Sequence, residues 1–300
     1  MDNIISVQKL GHHYGKHLIY EDLSFAVPEG RVVGLLGKNG VGKTTLIKIL
    51  MGFLRPSAGV CKVFGEASHR LSPKTRSRIG LLFEGHLTYD KFMNIEQLER
   101  FYAPFYPKWN RKYYYELVDL LGLPYTRKAA AMSCGQRSQV VLGLIMAQQP
   151  DLLILDDYSM GLDAGYRRLF LDYMQEYLMN GSKTVFLTSH VIQDMERLVD
   201  EVIFLERGGR LMTTSLKAFM NDFRCFLLPR KSAEGQSVSP KAAGCIKNIE
   251  LHPDYYEIFS FSPPNMVEKQ LSEQGVNPAG LKQKAISLED AFIGYTGRYL

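Results

Sequence analysis

The chain has 300 residues, 46% of them hydrophobic and 22% charged, with a net charge of +5. This excludes a small single scaffold, a disordered tail and a fibre, and suits one large α/β core with a smaller appendage. The basic excess is mild and interspersed, so no nucleic acid is expected as a partner. In chain order, the apolar run Val32 to Leu36 predicts a strand, followed by the helical pattern TTLIKILMGFL. Further strands are predicted at Ile79 to Phe83, Leu152 to Asp156, Thr184 to Thr188 and Glu201 to Leu205. Strands alternating with helices in this way point to a parallel sheet. Between the second and third strands, Asn94 to Ala147 has helical periodicity broken by Pro104, Pro107 and Pro124, which predicts an inserted helical subdomain. Beyond Asn221 the composition shifts. Lys231 to Gly244 reads as a loop between short strands at Phe226 to Leu228 and Tyr255 to Phe261, so residues 223–300 form a second, smaller unit.

The segment Gly37-Lys38-Asn39-Gly40-Val41-Gly42-Lys43-Thr44 fits G-x-x-x-x-G-K-[ST] between a strand and a helix. Its glycines let backbone N–H groups turn inward, and the helix N-terminus adds positive potential for bound phosphate. Lys43 would reach the β- and γ-phosphates of a nucleoside triphosphate, and the Thr44 hydroxyl would join a Mg²⁺ shell. Leu152 to Asp157 is a buried-strand pattern ending in two carboxylates, where Asp156 can hold a metal-bound water and Asp157 can face the attacking water. Ser133, Gly135 and Gln136 stand at the mouth of a helix, a natural anion site. Ser159 to Asp163 and Thr188-Ser189-His190 complete the set.

In this order the motifs resemble those of ATP-binding cassette proteins, over about residues 3–220. The resemblance implies a P-loop NTPase of α/β class: an antiparallel β part at the N-terminus, a helical subdomain at about 90–147 within a domain of residues 1–222, and a small C-terminal α+β unit. It implies ATP and Mg²⁺ as ligands, with Thr45 beside the phosphate loop and Tyr14 stacking on adenine. His12, His13 and His17 have no further ligands in register and read as solvated.

Three positions depart from the family pattern. Glu84 stands where a metal-touching Gln is usual, and adds negative charge beside Mg²⁺ unless it points to solvent. Cys134 replaces a glycine of the signature and reads as a small packed side chain. Asp157 replaces a Glu and is followed by Tyr158 instead of Pro. The shorter side chain draws the carboxylate back by roughly 1.5 Å, and a displacement near 1 Å can cost about 10²-fold in rate. Slow hydrolysis with intact ATP binding follows, unless Tyr158 or a shifted backbone restores the reach.

The ending Ser287 to Phe292, then Thr296-Gly297-Arg298, is similar to that of cassettes serving ABC-2-type exporters. Ser287 can cap a helix whose Leu288, Ala291 and Phe292 form an apolar face for docking onto the cassette. About half of the aromatic residues of the insert, Phe101 to Trp109 and Tyr113 to Tyr115, should be local core, and the remainder suit an interface. The basic run His69 to Arg78 reads as a solvated loop.

The resemblance therefore implies an ATPase subunit with Lys43, Asp157 and His190 as catalytic groups. The metal would be held by Thr44 and Asp156, with Glu84 nearby. The implied partners are a second cassette, whose Ser133 closes over the ATP, and a separate membrane-spanning permease, since no run here approaches the ~20 apolar residues of a spanning helix. The start carries no secretory signal pattern, so the expected location is cytoplasmic, peripheral on the inner face of the membrane. The rival is a soluble ATP switch without transport, which slow hydrolysis at Asp157 would suit.

Overall fold

The chain opens with two long strands, β1 (Asn3–Tyr14) and β2 (His17–Pro28), paired antiparallel around the turn at residues 15–16. The computed structural model describes residues 3–83, 92–159, 162–179, 183–189, 191–233, 238 and 244–297. They separate into two compact units, Met1–Thr213 and Thr214–Leu300.

In the first unit, β3 (Val32–Leu36) leads into α1 (Lys43–Leu50), then β4 (Ala58–Val63) and β5 (Glu66–Ala67). Strands β1, β2, β4 and β5 form one antiparallel sheet in the order β2-β1-β4-β5. The basic run forms a 3₁₀ turn and α2 (Pro73–Arg76), where a solvated loop was expected. Its helix is capped by Ser72, which with Thr75 hydrogen-bonds the Glu66 carboxylate, and Arg78 meets Asp151 at 2.6 Å.

After β6 (Ile79–Leu82) comes the helical insert: α3 (Ile95–Tyr102), α4 (Arg111–Asp119) and α5 (Cys134–Ala147). Asn94, Asn110 and Ser133 cap them, which fixes where each begins. The insert has its own apolar core of Ile95, Leu98, Tyr114, Val118, Val140 and Leu144. Tyr102, Trp109 and Tyr115 pack against it, while Phe101 and Phe105 stay exposed.

The chain returns through β7 (Leu152–Leu155), α6 (Ala164–Met179), β8 (Thr184–Leu187), α7 (Ile192–Met195), β9 (Glu201–Leu205) and β10 (Leu211–Ser215). The central sheet has the order β10-β9-β3-β8-β7-β6, parallel from β9 through β6. VVGLL, LLIL and TVFL are buried at every position, as strands covered on both faces must be.

The second unit contains α8 (Leu216–Asp222), β11 (Arg224–Pro229), β12 (Ile246–Leu251), β13 (Tyr255–Ser260), α9 (Pro264–Glu273), β14 (Lys282–Lys284) and α10 (Leu288–Thr296). Its sheet runs β12-β13-β11-β14, antiparallel throughout. The unit begins before residue 223, where the sequence suggested a boundary. Phe219 of α8 stacks on Phe223 at 5.2 Å, and Phe223 on Phe259 at 6.0 Å, so α8 belongs to this core. Ser287 caps α10 through a reciprocal pair with Asp290. Helix α10 packs against β11, β12 and β13 of its own unit.

Candidate functional site

Parallel strands leave their carboxyl ends on one edge, and the loops beyond that edge are where α/β sheets bind ligands. The loop after β3 contains Gly37 to Gly42. Lys43 opens α1 and folds back over this loop, its Nζ donating to the Gly37 carbonyl at 2.7 Å and to that of Lys38 at 3.2 Å. Burial lowers the Lys43 ammonium below the ordinary lysine range, and the charges of Asp156 and Asp157 act against that drop. The ammonium therefore lies in the field of both carboxylates. Two glycines here cannot be exchanged. Gly42 caps α1 at a φ of 108°, and a Cβ there would lie 2.5 Å from the Tyr20 hydroxyl. A Cβ on Gly37 would lie 2.6 Å from the Leu205 carbonyl oxygen. Val41 is buried, whereas Asn39 and Gly40 are exposed and Lys38, Thr44 and Thr45 half-buried.

Asp156 directly follows β7, two strands from β3, and is 5% exposed. The Thr188 hydroxyl at the end of β8 joins the two carboxylate residues: it donates to Asp156 Oδ1 at 2.9 Å and accepts from the Asp157 N–H at 2.8 Å. Asp157 has a φ of 47°, in the left-handed region that Asp and Asn tolerate better than other side chains. Ser159 donates to Asp157 Oδ1 at 3.3 Å and meets Ser189 at 3.1 Å. Tyr158 takes no part in extending the carboxylate, because it is buried and stacked on Phe170 at 4.5 Å. Thr44 and Asp156 supply hydroxyl and carboxylate oxygens on the same sheet edge, a donor set that fits Mg²⁺.

The signature stands at the start of α5. Ser133 Oγ accepts from the Gln136 N–H at 3.2 Å, and the Gln136 side chain accepts from the Ser133 N–H at 3.0 Å. Gly135 is buried beneath the Tyr166 ring, which a Cβ would approach to 2.9 Å. Cys134 is exposed, contrary to its reading as a packed residue, because it occupies the outer side of the first turn. Tyr14 lies at the end of β1, 47% exposed, with the His12 ring edge-on at 5.0 Å. His12 is buried rather than solvated, since it sits opposite Tyr20 in the β1–β2 pair, and burial lowers its imidazole below the usual range, with His13 adding to the effect. Glu84 and His190 lie outside the described residues.

One residue escaped sequence reasoning. Tyr20, wholly buried, donates its hydroxyl to the Gly42 carbonyl and so props the end of the phosphate loop. Its partner is 22 positions away, and only the register of the β1–β2 hairpin, with His12 across from Tyr20, brings the ring beneath the loop.

The family profile described as "ABC transporter" matches residues 20–159. The chain carries an ABC transporter ATP-binding domain. It is an ATPase of that class and binds the nucleotide ATP. The cassette is 27% identical to a Nod factor export ATP-binding protein I of Ralstonia nicotianae, over 98% of this chain and 94% of that protein. A protein of the same name from a Rhizobium species is 29% identical, over 95% of this chain and 94% of its own length. Among solved structures, an ATP-binding subunit of an ABC transporter aligns with a TM-score of 0.64 at 24% identity, covering 73% of this chain and 92% of its own. A dimeric cassette in a post-hydrolysis state bound to ADP and phosphate aligns at 0.61 and 19% identity, covering 71% and 98% respectively. Among the described residues no helix is long and apolar enough to cross a membrane.

Proposed function

We propose that this cassette powers export through a separate membrane-spanning subunit, on whose inner face it docks from the cytoplasm, using ATP to close two cassettes together. The observation that carries this reading is the Lys43 ammonium held in the field of Asp156 and Asp157, in a chain similar along nearly its whole length to export ATP-binding proteins. Gly37 to Thr45 would cradle the phosphates, with Tyr14 under the adenine. Lys43 would neutralise charge on the β- and γ-phosphates. Thr44 and Asp156 would hold Mg²⁺, with Glu84 beside it. When bound, that ion supplies further neutralisation of phosphate charge. Asp157 would orient and accept a proton from the attacking water, Ser159 fixing the carboxylate, while His190 would contact the γ-phosphate. Attack on the γ-phosphorus breaks its bond to the bridging oxygen and yields ADP and phosphate.

One chain contributes one phosphate loop and one signature. Ser133, Gly135 and Gln136 of a second cassette would complete the site, so ATP acts as the joint of the dimer and its loss reopens it. The second unit, with no nucleotide motif, would act as a spacer or dimer support. Calorimetry on wild type and Lys43→Ala tests the site: loss of a charge-assisted contact should weaken ATP by at least about tenfold to a hundredfold. Equal affinities would refute the assignment of Lys43. Co-purification from membranes with a multi-spanning partner chain tests the export reading, which fails if the cassette dimerises on ATP yet engages no membrane chain.

A further inference from the structure

In the second unit, Glu250 of β12 stands directly across from Glu257 of β13 in the antiparallel register. Both are buried, at 7% and 8% exposure. Like charges placed directly opposite across strands repel, and burial adds a desolvation cost. His252 follows two residues after Glu250, where the chain turns: its N–H donates to the Tyr255 carbonyl at 2.9 Å, and its ring stacks on Tyr255 at 4.6 Å. This fixes the imidazole with Nε2 at 3.3 Å from Glu257 Oε2. One potential donor atom from each of Glu250, His252 and Glu257 lies within 4.8 Å of the others. Ligands bonded at 2.0–2.2 Å lie at most about 4.4 Å apart, so a bound ion would draw these donors slightly closer together.

Lys284 on β14 holds the other oxygen of Glu257, Oε1, at 2.9 Å, an arrangement that orients a carboxylate from behind. Burial first, and then the charge of Glu257, push the Cys225 thiol up to about 12, with Glu250 and Asp290 adding to the rise and Lys284 opposing it.

We propose that Glu250, His252 and Glu257 form a binding site for a divalent transition-metal ion, of the Zn²⁺ or Mn²⁺ kind. One imidazole with two carboxylates suits such ions. Three protein ligands leave room for water in the remaining positions, and the bound ion ties the β12–β13 hairpin together. This site does not depend on the nucleotide reading, and the ion is distinct from the Mg²⁺ expected with ATP.

The test uses the full chain, stripped with a chelator and free of nucleotide, titrated calorimetrically with ZnCl₂ and separately with MnCl₂. A saturable equivalent of at least one of the two ions is expected, with a rise in melting temperature. His252→Ala, which alters the least buried of the three ligands, should weaken that equivalent by more than about tenfold while the metal-free melting temperature holds. Glu250→Gln should do the same. His13→Ala/His17→Ala should retain it, separating this site from the histidines near the N-terminus. The proposal is overturned if neither ion binds, or if His252→Ala and Glu250→Gln bind both ions as wild type does.

Discussion

Helix α1 starts from Gly42, which has no side chain to cap it, whereas α5 starts from Ser133, whose hydroxyl and Gln136 partner close a reciprocal cap. Both starts lie where the family resemblance expects phosphate. The first is held by its surroundings: the Tyr20 hydroxyl beneath Gly42 and the Lys43 ammonium drawn onto the Gly37 and Lys38 carbonyls. The second is held by its own side chains. A hydroxyl has one donor and two acceptor lone pairs, so Ser133 can keep its cap while donating to a phosphate oxygen. The comparison shows two ways to present a helix start to an anion, one prepared by tertiary contacts and one by local sequence. It predicts that the first is fragile to distant changes and the second is not.

The largest effect should come from Gly42→Ala. Its Cβ would collide with Tyr20 and Ile19 at a φ that L-residues avoid, costing about 1–3 kcal/mol in backbone conformation alone. ATP binding measured by calorimetry should be lost and the melting temperature should fall. Retained affinity would show that α1 does not depend on its surroundings.

Next is Asp157. Asn keeps the tolerance for a left-handed backbone but cannot accept a proton, so phosphate release should drop by about 10² to 10⁴ with ATP binding unchanged. Glu restores the longer reach, and release should equal or exceed wild type. It gives up the tolerance of Asp for φ 47°, at a cost on the order of 1 kcal/mol in the melting curve. An Asn variant as fast as an active wild type removes Asp157 from catalysis.

Ser133 separates cap from contact. Ser133→Ala should cost about 1 kcal/mol of stability through the lost cap, with ATP binding by the monomer preserved. Ser133→Arg should in addition abolish ATP-driven dimerisation in sedimentation. A dimer forming normally with Arg there would place the signature outside the interface. The smallest effect is expected for Tyr20→Phe, which keeps the ring and removes one hydrogen bond. About 1 kcal/mol of stability and a few-fold loss of ATP affinity should follow, because the Gly42 carbonyl still accepts from the Leu46 N–H at 2.9 Å.

What was legible in the sequence followed the same division. The strands at Val32–Leu36 and Glu201–Leu205, the loop motif, the capped start of α5 and the carboxylates after β7 are all written in contiguous residues, and the fold carries them where expected. Features made by pairing distant strands were not legible. Tyr20 and His12 acquire their positions from the β1–β2 register, which contains several irregular steps that no local pattern announces. Glu250 and Glu257 look like ordinary surface charges in sequence and become buried neighbours only once β12 and β13 are aligned. The α8 segment was assigned to the wrong unit because composition changes after it, while its Phe219 packs forward into the second core.

The sheet order also sets a schedule for synthesis. Strand β3 lies between β8 and β9, and the Gly30 N–H is bonded to a threonine 154 positions later. The Leu205 carbonyl, against which Gly37 packs, arrives later still. At roughly 5–20 residues per second, the ribosome finishes the phosphate-loop segment about ten to thirty seconds before the strands that complete its support. A nascent chain stopped short of β8 therefore carries the full loop motif without the parallel neighbours of β3, and nucleotide cannot stabilise the cassette until most of the first unit has been made.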